Sequence, residues 1–183
     1  AAAPSALGTG RIVRVLRGRG YFAERPEPRL MDLLDIVALG TVADVAQLKG
    51  LNRAFVAQGL KVMSARRNVG LNALASAARL NRAPTCSDLG FALGPRINAG
   101  GRVGKSDLGV RLLTTADPEE ARLIAQELDR LNEERRAIEA QVQEAAEAAM
   151  ATQHNRAVAL VSGEGWHPGV IGIVAGRIKE KFG

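Results

Sequence analysis

The stretch that decides the architecture runs from Asp117 to Ala151, DPEEARLIAQELDRLNEERRAIEAQVQEAAEAAMA. Asp117 is placed to cap a helix. Pro118 takes the first helical position, where its missing N–H costs nothing, and Glu120 is placed to close a capping box. From there Ile124, Leu128, Leu131, Arg135, Ile138, Val142, Ala145 and Ala149 recur at alternating spacings of four and three, a heptad seam interrupted by Arg135. Arg130/Glu134 and Arg135/Glu139 add i,i+4 ion pairs on the flanks. The pattern predicts one helix of roughly 30 residues, about 45 Å long, separating two lobes. A dimeric coiled coil is the alternative; the small alanines toward the end favour packing on a neighbouring lobe.

Working outward, Ala157–Val161 (AVALV) is a short continuous apolar run of buried-strand type. Ser162–Gly165 turn the chain, and Val170 onward is helical, so the segment predicts a βα unit. Upstream, Leu33–Val45 is apolar with helical and strand readings both open. Asn52–Met63 has helix spacing, Leu71–Leu80 predicts a second short helix, and Ser87-Asp88 opens a third segment. Together these predict an α/β fold of two lobes joined by the long helix, divided as 1–116, 117–151 and 152–183.

Composition narrows the function. The 183 residues hold 25 Lys plus Arg against 19 Asp plus Glu, a net charge of +6. That sum conceals a distribution: 17 basic and 7 acidic side chains in 1–116, 4 and 10 in 117–151, 4 and 2 in 152–183. A strongly basic first part before an acidic segment suits a polyanion on one lobe; a merely solubilising basic surface is the alternative. The single cysteine, Cys86, excludes an intramolecular disulfide and a cysteine zinc site, which points to the cytoplasm. No apolar stretch is long enough to span a bilayer. Six aromatic residues argue against a base-stacking sheet of the RNA-recognition type. The chain begins without Met and reads as a piece of a longer protein.

Three constellations could carry chemistry. In Ala38-Leu39-Gly40-Thr41-Val42-Ala43-Asp44-Val45 a carboxylate ends an apolar element, a placement suited to a hard divalent cation and equally to capping the next helix. In Gly94-Pro95-Arg96-Ile97-Asn98-Ala99-Gly100-Gly101-Arg102-Val103-Gly104-Lys105, four glycines allow close approach to a ligand. There Arg96, Arg102 and Lys105 offer cationic donors and Asn98 an amide, with phosphate the natural complement. The spacing is not that of a Walker loop; a flexible charged turn is the alternative. In Trp166-His167-Pro168-Gly169-Val170-Ile171-Gly172-Ile173-Val174-Ala175-Gly176-Arg177 a histidine precedes a glycine-bearing helix, so an imidazole and free backbone N–H groups could meet an anion. Close helix packing at the glycines is the other reading.

With these residues in view, VALGTVADV (37–45), DLGFALGPRINAGGRVG (88–104), IAQELDRLNEERR (124–136) and WHPGVIGIVAGRIKEKF (166–182) resemble the RecJ family of single-strand-specific exonucleases, in the DHH phosphoesterase superfamily. The resemblance covers about residues 30–183. It implies the C-terminal part of a DHH lobe, a connecting helix and the start of a DHH-associated lobe, in an enzyme that degrades single-stranded DNA from its 5′ end in repair and recombination with two manganese or magnesium ions. It implies that Asp44 is a metal ligand and not the general base, and that Arg96, Asn98, Arg102 and His167 face the DNA. A monomer, with repair proteins as partners, is expected. The DHH triplet and the family's earlier aspartate motifs are absent, so the fragment alone is expected to be inactive. Two milder departures are Val45-Ala46-Gln47-Leu48, where the family often has Val-Val-Pro-Leu, and Gly100 in Asn98-Ala99-Gly100-Gly101-Arg102, where it often has alanine. A DHH-type phosphoesterase acting on short oligonucleotides and a non-catalytic nucleic-acid-binding paralogue are the competing readings.

Overall fold

The computed structural model describes residues 2–151 and 158–182. Among them the elements are helical: α1 (Ala2–Gly18), a 3-10 turn (Leu30–Leu33), α2 (Leu34–Ala43), α3 (Gly50–Ser64), α4 (Val69–Ala77), α5 (Cys86–Asp88), a π-helical stretch (Leu89–Leu93), α6 (Gly94–Val103), α7 (Leu108–Thr114), α8 (Pro118–Met150) and α9 (Pro168–Phe182). The chain forms two compact units, residues 1–95 with 110–126, and residues 96–109 with 127–183.

The α/β expectation is therefore corrected to a helical fold, since no strand occurs among the described residues. Ala157, the first residue of the expected strand, lies outside the described residues. Val158 to Val161 are irregular, with Val158 and Leu160 exposed at 75% and 78%. A buried strand needs neighbours to satisfy its backbone and cover both faces, and the described residues offer no other strand to pair with it. The ambiguous Leu33–Val45 run resolves the other way, as α2 with Leu34, Ala38 and Leu39 buried.

In the first unit α2 and α3 meet at Gly59, where a methyl group would lie 2.1 Å from the Leu34 carbonyl oxygen. A methyl group on Gly70 of α4 would likewise lie 1.8 Å from the Leu112 carbonyl oxygen of α7. Both positions admit only a hydrogen, which is why the helices can bury Val56, Met63, Leu71, Leu74 and Leu112 so fully. Asn68 caps α4 by accepting the Leu71 N–H at 2.8 Å. At α5 the Thr85 side chain accepts the Asp88 N–H while the Asp88 carboxylate accepts the Thr85 N–H at 2.7 Å, a closed capping box. Arg82 donates to both Asp88 oxygens, at 2.6 and 3.0 Å.

Helix α8 forms where the sequence places it. The Glu119 N–H donates to Asp117 Oδ1 at 2.9 Å, but Glu120 is drawn away from the box by Thr115 and Arg111. Its buried stripe is Ile124, Leu128, Leu131, Arg135, Glu139, Val142 and Ala146. Ala145, expected in the seam, is exposed. Steps of 4-3-4-4-3-4 average close to the natural helical period, so the stripe stays on one face without the supercoil that a strict heptad would impose. In the second unit this stripe meets α9, with Val142 and Ala146 packed on Val170, Val174 and Ile178.

Arg82, together with the Thr85 donors, holds the Asp88 carboxyl down to about 2. A depressed carboxyl stabilises the fold above its ordinary range and loses that contribution as pH falls through its folded value. Asp88→Ala is expected to lower stability by about 1–2 kcal/mol at pH 7, read from urea unfolding, and the gap to the parent should close between about pH 4 and pH 2.

Candidate nucleic-acid and metal site

Asp44 ends α2 as its C-cap, not as the cap of the helix that follows, whose N-cap is Lys49. The turn is a complete Schellman motif: the Val45 N–H donates to the Val42 carbonyl at 3.0 Å and the Ala46 N–H to the Thr41 carbonyl at 3.1 Å. Such motifs place a left-handed residue just past the cap, normally glycine. Here it is Val45 at φ +54°, a β-branched residue in a region its side chain disfavours. Thr41, fully buried, anchors the turn from below by donating to the Val37 carbonyl at 2.7 Å. The Asp44 carboxylate is exposed and makes no hydrogen bond or ion pair among the described residues. Two free, hard oxygens on a fixed backbone fit one ligand of a divalent ion. They fit no more than one, because no group of three His, Cys, Asp or Glu converges among the described residues.

The other expected residues lie in the second unit. The glycine-rich run folds as α6, a helix rather than an open loop. Its glycines serve packing: a methyl on Gly100 would meet Leu128 Cδ2 at 3.1 Å, and one on Gly104 would meet Leu131 Cδ1 at 2.5 Å. Arg96 is not free for a phosphate, since its Nε donates to Asp129 at 2.7 Å and its side chain is 17% exposed. That ion pair fastens α6 to α8. Asn98 and Arg102, four residues apart, are exposed.

Arg102 reaches the start of α9, where its guanidinium donates to the Gly169 carbonyl at 3.0 Å. His167 caps the same helix: its Nδ1 accepts the Gly169 N–H at 3.0 Å. With Nδ1 accepting, Nε2 is the ring nitrogen left to act as a donor. The structure thus brings Arg102 and His167 together around Gly169, and a Cβ there would lie 2.3 Å from the Arg102 carbonyl oxygen. Gly172 and Gly176 have nothing within 4 Å, so close packing accounts for only the first of the three glycines. Sequence reasoning missed Arg136 and Arg177, which line a groove with Glu139. Arg135, a charge inside an apolar seam, was the available signal for that neighbourhood.

No family model matches the chain. It is 45% identical over 177 residues to the single-stranded-DNA-specific exonuclease RecJ of Dickeya dadantii, an alignment that takes in 91% of this chain and 31% of that protein. The chain thus spans about a third of that relative's length. Among solved structures it is similar to RecJ of Thermus thermophilus in complex with Mn2+, with a TM-score of 0.74 at 37% identity over 88% of this chain and 24% of that one. The Mg2+ complex from the same organism gives a TM-score of 0.74 at 37% identity, over 88% of this chain and 25% of that one.

Two substitutions separate packing from helix preference on α9. Gly169→Ala is expected to destabilise by about 1–3 kcal/mol, because backbone must move to admit the methyl, whereas Gly172→Ala should stabilise by up to about 1 kcal/mol; thermal melts of the two variants read opposite signs. Val45→Gly should raise stability by about 0.5–1 kcal/mol, the relief of positive φ less glycine's greater unfolded freedom, again read as a shift in melting temperature.

Proposed function

We propose a function for a chain that corresponds, in sequence and fold, to a segment of RecJ. It is part of a single-stranded-DNA-specific exonuclease that hydrolyses phosphodiester bonds from the 5′ end and serves DNA repair and recombination. Residues 1–116 complete a DHH lobe, 117–151 connect, and 152–183 begin the DHH-associated lobe. The observation that carries this reading is the 45% identity to RecJ in an alignment covering 91% of the chain. The exposed, unpartnered Asp44 carboxylate supports it.

Asp44 would hold one of a pair of manganese or magnesium ions, whose chemistry is to activate water and to offset charge on the phosphodiester. The remaining ligands would belong to the two thirds of the relative's length that this chain does not span. Among the chain's own residues, Arg102 can grip a phosphate oxygen with the donors that the Gly169 carbonyl leaves free. His167 can donate from Nε2, and Asn98 can offer its amide. Arg96 acts through Asp129, holding α6 in place. The protein would work as a cytoplasmic monomer, alongside repair proteins. No described helix is long and apolar enough to cross a membrane.

The test replaces the matching third of Dickeya dadantii RecJ with this chain and measures manganese-dependent nucleotide release from end-labelled single-stranded DNA. The chimera is expected to digest from the 5′ end. Asp44→Ala should cut turnover at least 100-fold with DNA binding retained, and the 183-residue chain alone should release nothing. A folded chimera that binds DNA without cutting it would make the segment a non-catalytic binding module, and digestion confined to short oligonucleotides would favour the small-substrate phosphoesterase.

A further inference from the structure

In the second unit one buried carboxylate pairs with two guanidinium groups, and two more, those of Arg136 and Arg102, lie within electrostatic reach of Arg135. Glu139, 2% exposed, is ion-paired with Arg135 on its own helix and with Arg177 on α9. Arg135 is itself 9% exposed; it also donates to Asn132 Oδ1 at 3.1 Å, while its Nε is buried without an acceptor among the described residues. Arg177 donates further to Gln143 Oε1 at 2.8 Å. Arg136 and Arg177 line an open groove of about 480 Å³ along α8 and α9, and Arg102 reaches α9 from α6.

Neither Arg136 nor Arg102 has a carboxylate partner among the described residues. Burial, followed by the charges of Arg136, Arg102 and Arg177, weakens the hold of Arg135 on its proton, and Glu139 offsets this only in part. The Arg135–Glu139 pair is thus buried where water screens poorly, while Arg136, Arg102 and Arg177 add positive charge from the exposed side. The groove becomes acidic farther along, where Glu144 lines it and Glu147 pairs with Lys181 at 2.6 Å. The unbalanced cations are therefore confined to the end marked by Arg136 and Arg177.

We propose that Arg136 and Arg177 extend the Arg102 contact into a docking track for the phosphodiester backbone of single-stranded DNA. The proposal rests on the exonuclease reading above and names two further contacts for its substrate. A phosphate supplies the missing negative charge. Arg177, already held by Glu139 and Gln143, presents its remaining donors with little freedom left to lose. A backbone contact of this kind is blind to base identity, as a degradative enzyme requires.

The experiment measures the anisotropy of a fluorescein-labelled 20-nucleotide oligo-dT with the 183-residue chain across sodium chloride concentrations. Arg136→Gln is expected to weaken binding about 3- to 10-fold and to lower the slope of log K against log salt by about one. Arg177→Gln should behave alike and Arg177→Lys should recover most of the loss. Lys179→Gln, exposed on α9 and outside the groove, should change neither quantity. Arg177 variants are checked by circular dichroism, since they also unpair Glu139; Arg136→Gln breaks no described contact and reads binding alone. An unchanged slope in Arg136→Gln, beside a reduced one in Arg102→Ala, would make the cluster purely structural and leave the exonuclease reading standing. No binding of oligo-dT by the parent chain would overturn both, and preferential competition by RNA or an acidic peptide would replace the proposed ligand.

Discussion

The second unit depends on how the charge of Glu139 is accommodated inside a helix seam. An ionised carboxylate removed from water is tolerated only when paired, and deleting one partner of such a pair costs about 3–5 kcal/mol because the other is stranded. Glu139 solves this twice, through Arg135 one turn earlier on α8 and through Arg177 on α9. The apolar contacts of Val142 and Ala146 with Val170, Val174 and Ile178 hold the helices together without fixing how far one slides along the other. Directional pairs do that: Arg177 with Glu139 and Gln143, then Lys181 with Glu147 one turn on. Since His167 and Gly169 stand at the start of α9, the same register sets where the imidazole and the Arg102 contact lie.

In the first unit the corresponding constraint is backbone strain. Val45 occupies a left-handed position that glycine would fill without penalty, and at 88% exposure its side chain gains almost no packing in return. Strain retained beside a candidate ligand is understandable if a stiffer turn holds Asp44 in one orientation better than a glycine would. Helix α4 ends in the same motif, with Arg79 at φ +59°, so a non-glycine residue at this position is a tolerated habit of the chain. What distinguishes the turn at Val45 is the unpartnered Asp44 carboxylate beside it.

Legibility in the sequence followed the range of the interaction. The cap at Asp117, the periodicity through α8 and the pair between Arg130 and Glu134 at 3.0 Å are local, and a single chain states them. The slip from Ala145 to Ala146 arises because a straight helix drifts against a heptad template. A strand at 157–161 was not decidable in the same way, since an apolar run becomes a strand only when another strand offers its backbone. The glycines of 94–104 carried a misleading signal for a different reason. The glycines left a phosphate-binding run and a flexible charged turn as the readings, yet Gly100 and Gly104 are where α6 presses on Leu128 and Leu131, and the gain in packing outweighs their low helix propensity.

That inversion bears on the chemistry. A flexible glycine loop would have to be ordered by the ligand it binds, at a cost in affinity, whereas Asn98 and Arg102 stand on a helix already fixed to α8 through Arg96 and Asp129. Recognition of a phosphate backbone needs only such preset donors on a rigid frame, and these occur within one unit of this chain. Metal catalysis needs several acidic or imidazole donors around one point, a condition no three described residues meet. The two requirements therefore divide differently along the sequence: the donors of the proposed phosphate surface lie together in one unit, whereas the proposed role of Asp44 would need further ligands to complete its shell.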